Sequence, residues 1–171
     1  MSAAPTVWEE VALGPRNLGL ALDEVATRTW AALDALAITS LVERDPNRLS
    51  GGQSQLVALA GVLALGPRYL VLDEPTSQLD PLGTRLVGEA LSRAAQTTGA
   101  GILIVEHKTE LLARMCDEVA VIENGRIAAH GSATDILEDD RLTAWGVLPT
   151  PQRRLRTAVE SAGLNWSAEW A

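Results

Sequence analysis

Cysteine occurs once in this chain, at Cys116, and lysine once, at Lys108. A single cysteine excludes an intramolecular disulfide and a cysteine-based metal cluster, and cytosolic residence is the natural expectation. Met1-Ser-Ala-Ala-Pro5 has neither a basic stretch nor a following apolar core, so no signal peptide is expected there. The longest apolar run, Leu56 to Leu65, is too short to cross a bilayer as a helix. Work at a membrane would need an integral partner. Positive charge is also scarce. Against 22 Asp and Glu stand 14 Lys and Arg, a net charge of −8, and no nucleic-acid partner is expected where a basic face is missing. There is no block of like charge, no heptad run before Leu49, no internal repeat and no low-complexity tract.

What is present suits a soluble globular chain of one domain, or a domain with a short appendage. Of the 171 residues 47% are apolar and 21% charged. Thr6 to Leu13 reads as a short helix ended by Gly14-Pro15. A second helix opens at Asp23-Glu24 and runs to about Ala37, with Val25, Trp30, Leu33 and Leu36 at helical spacing. Asp45-Pro46-Asn47 is a turn. A long helix follows over Ser50 to Leu65, where Ser50 as N-cap and Gln53 at the third helical position form a capping box.

Beyond it the pattern changes to short continuous apolar runs, Tyr69–Leu72 and Ile102–Val105, each followed by acids. Between them, Pro81 to Thr98 reads as a helix with proline at its first position. Such runs separated by a helix predict an α/β fold with a parallel sheet covered on both faces. Val119–Ile122, Asn124-Gly125 and Arg126–His130 predict a hairpin. Ser132–Leu137 and Gln152–Ala162 are closing helices. The tail Asn165–Trp170 carries no reading.

Three features carry chemistry. Leu49-Ser50-Gly51-Gly52-Gln53 sets two glycines at a helix start, where backbone N–H groups and the helix dipole favour an anion; a plain helix cap is the ordinary alternative. Asp73-Glu74 ends an apolar strand, at the sheet edge where α/β folds bind ligands. There one carboxylate can hold Mg²⁺ and the next polarise a water, although an acidic turn would look the same. Ser77-Gln78-Leu79-Asp80 follows, and His107 ends the next strand. It could stabilise transferred charge or be structural.

In this order and spacing the chain resembles the ATP-binding cassette family, the ATPase subunits of ABC transporters, over roughly residues 6–137. Leu49–Gln53 matches the signature motif, Tyr69–Glu74 the Walker B strand, Ser77–Asp80 the D-loop and His107 the switch histidine. Thr6–Leu20 is similar to the start of the helical subdomain in energy-coupling-factor ATPases, which serve vitamin and cobalt or nickel importers. The resemblance implies an incomplete P-loop NTPase core with a helical subdomain. Residues 6–65 would form that subdomain, 66–137 the partial core and 138–171 a C-terminal extension. It also implies Mg²⁺-dependent ATP hydrolysis coupled to solute transport, with ATP and Mg²⁺ as cofactors. Asp73 would hold the metal, Glu74 activate water and His107 contact the γ-phosphate. Ser50, Gly51, Gly52 and Gln53 would complete an ATP site on a partner subunit, and Asp80 would cross the dimer interface. The implied partners are a second ABC ATPase subunit, identical or different, and a transmembrane coupling protein. The implied location is peripheral, on the cytoplasmic face of the cell membrane.

The family's phosphate loop, G-x-x-x-x-G-K-[ST], has no counterpart in these residues, because Lys108 follows His107 rather than a glycine. The glutamine that links metal and transporter and the base-binding aromatic have no counterpart either. The chain's own half-site is therefore expected to bind nucleotide weakly or not at all, and the chain by itself to be inactive. Without the phosphate-loop strand, the two apolar runs should present an unpaired edge and lack covering helices. A non-catalytic subunit that docks on an intact ABC ATPase is the alternative reading. Repair and chromosome-organising ATPases share the motifs, but the acidic balance and the lack of heptads disfavour them.

Overall fold

A computed structural model describes residues 6–166, so the expectations at Met1–Pro5 and in the tail from residue 167 lie outside the described residues. The chain divides into two compact units, Met1–Val105 and Glu106–Ala171.

In the first unit, three helices pack pairwise: α1 (Val7–Asn17), α2 (Leu22–Ala35) and α3 (Gly51–Ala64). Thr6 and Glu9 form a capping box at the start of α1. The helix does not stop at Gly14-Pro15, as the sequence suggests, but runs through to Asn17. Pro15 forfeits only one backbone N–H, near the helix end, and its ring is buried. Gly14 is needed for a different reason. A Cβ there would lie 2.7 Å from Leu65 Cδ2, so its absence lets α1 close on the end of α3.

Helix α2 ends at Ala35, short of the expected Ala37, which turns the chain with φ 54°. Its buried face is Val25, Thr29, Ala32 and Leu33, continued by Leu36. Trp30, expected inside, is exposed because it falls one position past the buried Thr29 and off that stripe. Val7, Val11, Leu33, Leu36, Val57 and Ala60 form the heart of this bundle. Each fully buried Leu or Val contributes roughly 1.5–3 kcal/mol over exposure.

The chain then enters β1 (Tyr69–Asp73), α4 (Pro81–Thr98) and β2 (Gly101–Val105). The strands are parallel, with Leu70 opposite Ile102 and Asp73 opposite Val105. Helix α4 packs on β2 and buries Val87, Ala90 and Leu91. Period-two alternation sends Leu70 inward, whereas Tyr69, Val71, Leu103 and Val105 stay exposed on the opposite face. Cover on both faces was expected from the continuous apolar runs. Within these residues that expectation fails: two strands and one helix supply only one layer.

The second unit contains α5 (Thr109–Met115), β3 (Glu118–Glu123), β4 (Arg126–Ser132), α6 (Ala133–Leu137) and α7 (Pro151–Ser161). Asn124 and Gly125, at φ 48° and 73°, make the β3–β4 hairpin turn. Val121, Ile136 and Leu142 form its core, with Trp145 and Val147 against them. Arg153 is buried and donates to the carbonyls of Leu137 and Asp139 and to Asp140 Oδ1, at 3.0, 2.9 and 2.6 Å.

Candidate functional site

Helix α3 starts where the sequence places it. Ser50 Oγ accepts the Gln53 N–H at 3.3 Å, and Gln53 Oε1 accepts the Ser50 N–H at 3.1 Å. Both side chains of the motif are thus engaged in capping, while Gly51 and Gly52 occupy the first turn, where backbone N–H groups lack intrahelical acceptors.

The two glycines also permit a close approach. A Cβ on Gly51 would stand 2.5 Å from Gln78 Oε1, and one on Gly52 3.2 Å from the Gln78 carbonyl oxygen. The signature turn therefore lies directly against the 77–80 loop of the same unit. Gln78 is exposed and its side chain can swing away, whereas its carbonyl is backbone. Gly52 is accordingly the more constrained of the pair.

Asp73 closes β1 and is exposed. Glu74 follows in the left-handed region at φ 45°, a conformation that costs a non-glycine residue roughly 1–2 kcal/mol. Its peptide groups are held by three hydrogen bonds. The Glu74 N–H donates to the Val105 carbonyl at 2.8 Å, and its own carbonyl accepts from the Ser77 N–H at 3.1 Å and from Gln55 Nε2 at 3.2 Å. This bend sets an exposed carboxylate beyond the strand end, while Pro75 and Thr76 are buried beneath. Strain held in place by several bonds is a recurrent property of functional sites.

Asp80 has a structural task on the page: Oδ1 accepts the Gly83 N–H at 2.7 Å and caps α4. His107 belongs to the second unit and is described there by itself. Its exposed ring has Nδ1 3.3 Å from Glu106 Oε1. The fully buried Glu106 side chain also accepts the backbone N–H groups of His107 and Lys108 at 2.9 and 3.2 Å. Cys116 offers no reactive thiolate, because burial, and then the charge of Asp117, push its pKa up.

Gathered within the first unit are Ser50–Gln53, Asp73-Glu74 and the 77–80 loop, together with Gln55, which sequence reasoning overlooks. Nothing in the sequence marks Gln55 apart from its place two residues after Gln53, since its partners lie 19 and 23 residues downstream. No group of three or more His, Cys, Asp or Glu suited to a metal occurs among the described residues. A complete protein cage for a cation is thus not built here. An exposed Asp73 fits the more modest part of one carboxylate in a Mg²⁺ shell otherwise made of phosphate oxygens and water.

The family model described as "ABC transporter" matches residues 3–77. The chain is 41% identical over 136 residues to the energy-coupling factor transporter ATP-binding protein EcfA of Methanosphaera stadtmanae, covering 80% of this chain and 49% of that protein. It is 41% identical over 148 residues to the cobalt import ATP-binding protein CbiO of Rhodobacter capsulatus, covering 86% of this chain and 52% of that one. Among solved structures, cbiO1 from Clostridium perfringens, described as part of the ABC transporter complex cbiONQ, matches with a TM-score of 0.73 at 29% identity. That match covers 94% of this chain and 61% of the other. The chain thus spans about half the length of the curated relatives it matches. With the motifs in order, the α/β architecture in place and these similarities running along most of its length, the chain belongs to the ATP-binding cassette ATPases, of the energy-coupling-factor and cobalt type.

Proposed function

We propose that these residues form the signature-to-switch part of an ATP-binding subunit that couples ATP binding and hydrolysis to import of a vitamin or metal ion. The supporting observation is the cluster in the first unit, where the Ser50–Gln53 turn, the 77–80 loop and the bent Glu74 are fastened to one another. In this reading residues 6–65 act as the helical subdomain, 66–137 as the partial hydrolase core and 138–171 as a C-terminal extension.

Hydrolysis joins a water oxygen to the γ-phosphorus and breaks the bond to the ADP oxygen. Glu74 accepts the water proton and releases it to solvent. Mg²⁺, where bound, supplies neutralisation of the phosphate charge, and Asp73 is the residue that would hold it. His107 steadies the γ-phosphate. Ser50 and Gly52, with Gly51 and Gln53, contact ATP bound to a second ATPase subunit, and Asp80 lies at the junction with that subunit. The grip on the triphosphate itself comes from a phosphate loop outside these 171 residues. Among the described residues no helix is long and apolar enough to cross a membrane. The reading sets the chain at the cytoplasmic face, beside a transmembrane coupling protein.

The test is to combine the chain with a polypeptide that carries the phosphate loop and to follow ATP turnover in Mg²⁺. Turnover that appears on mixing and falls by about a hundredfold or more in Glu74→Gln is expected. Association without any effect of Glu74→Gln on turnover would instead identify a non-catalytic subunit that docks on an intact ATPase.

A further inference from the structure

Two peptide groups in the first unit are served by one side chain. Gln55 Nε2 donates to the Glu74 carbonyl at 3.2 Å, and Gln55 Oε1 accepts the Gln78 N–H at 3.3 Å. The partners fix the sense of the amide, because a carbonyl demands the NH₂ end and an N–H demands the oxygen. No other residue type of this length offers a donor and an acceptor so close together without charge.

The places joined are informative. Gln55 stands on α3 just past the signature turn. Glu74 is the left-handed residue that carries the proposed base, and Gln78 is the residue against which Gly51 and Gly52 are packed. Of the three bonds that hold the Glu74 peptide groups, those from Ser77 and to Val105 are backbone, within the strand–loop segment and to β2. The third alone reaches α3.

We infer that Gln55 is a positioning residue that ties helix α3, and with it the Ser50–Gln53 turn, to the backbone of Glu74 and of the 77–80 loop. A shift of the signature turn on nucleotide is then carried to the catalytic carboxylate, and the two halves of the reaction site set together. This rests on the function proposed above and adds a link between two parts of that site. It concerns orientation of the base rather than binding of ATP, so the rate of the chemical step is the quantity it controls.

The assembled ATPase, this chain with its phosphate-loop-bearing polypeptide, provides the test, with Gln55→Leu, Gln55→Glu and Glu74→Gln compared with the unmodified chain. Gln55→Leu keeps the volume and loses both bonds, while Gln55→Glu keeps the acceptor for Gln78 and loses the donor to Glu74. Both are expected to lower kcat about tenfold or more, with KM for ATP within about twofold and the melting temperature little changed. Amide exchange at Gln78 should quicken in Gln55→Leu but not in Gln55→Glu, while exchange at Gln53, capped by Ser50, stays the same. Near-normal kcat in Gln55→Leu, or a rate loss matched by equal loss of melting temperature in both variants, overturns the inference and leaves the proposed function standing. Turnover that survives Glu74→Gln removes the proposed function, and this link falls with it.

Discussion

At the scale of single residues, the buried face of α2 contains a position that the fold does not fully satisfy. Thr29 is completely buried, and its Oγ1 has no hydrogen-bond partner among the described residues. A buried hydroxyl without a partner costs about 1–3 kcal/mol, whereas an apolar group of the same shape does not carry that cost. Thr29→Val is therefore expected to stabilise the helical bundle by about 1 kcal/mol, raising the melting temperature by roughly 2–4 °C in a calorimetric scan. A lower melting temperature would show that the hydroxyl is partnered in solution. The same stripe explains why Trp30 was misplaced from the sequence: Val25, Leu33 and Leu36 fit helical spacing, and an aromatic close to that pattern looks like core. Only the packing of α1 and α3 on α2 selects Thr29 over its larger neighbour.

At the scale of elements, the segment between α6 and α7 is organised by charge. Arg141 grips Asp139 through Nε to Oδ1 at 3.0 Å and Nη2 to Oδ2 at 2.7 Å, and lies over the Trp145 ring at 4.8 Å. The side-chain hydrogen bond from Arg141, and then its backbone N–H, lower the Asp139 pKa from 3.8 to about 2. A depressed carboxyl pKa favours the ionised form in the fold. Its contribution is fully present above the ordinary value of 3.8 and is lost as pH falls through that value towards 2. The Asp139 carboxyl carbon should titrate near 2 by NMR, and Asp139→Asn should flatten the acid dependence of unfolding over that window. An ordinary titration midpoint would refute the geometry. Arg153, with Arg156 paired to Glu138, fastens α7 to the same segment. The sequence shows helix starts such as Pro81 and Thr150-Pro151 well, because caps and prolines act locally. It does not reveal that an arginine two positions past Pro151 closes the end of α6. It also missed α5, whose seven residues are too few for periodicity to stand out.

At the scale of the whole chain, one face of the β1–β2 pair is the dominant fact. Tyr69, Val71, Leu103 and Val105 are 79, 73, 62 and 54% exposed and lie side by side. Apolar side chains in a row on a sheet favour a covering layer or association. The 171 residues by themselves are expected to bind an environment-sensitive hydrophobic dye and to melt over a broad range. A phosphate-loop-bearing polypeptide should suppress the dye signal as it restores the layer. A sharp, high-temperature melt without dye binding would count against this.

Sequence alone determined the motif order, the capping box at Ser50, the length of α4, the strand pair and the hairpin, since each follows from neighbours in the chain whose caps, turns and periodicity act over a few residues. Tertiary structure decided the rest. It carried α1 through Pro15, left one sheet face bare and kept Trp30 outside. It also joined Gln55 to residues 19 and 23 positions away. Those outcomes depend on which surfaces meet in space, and close packing between distant segments leaves no periodic trace in the order of the residues.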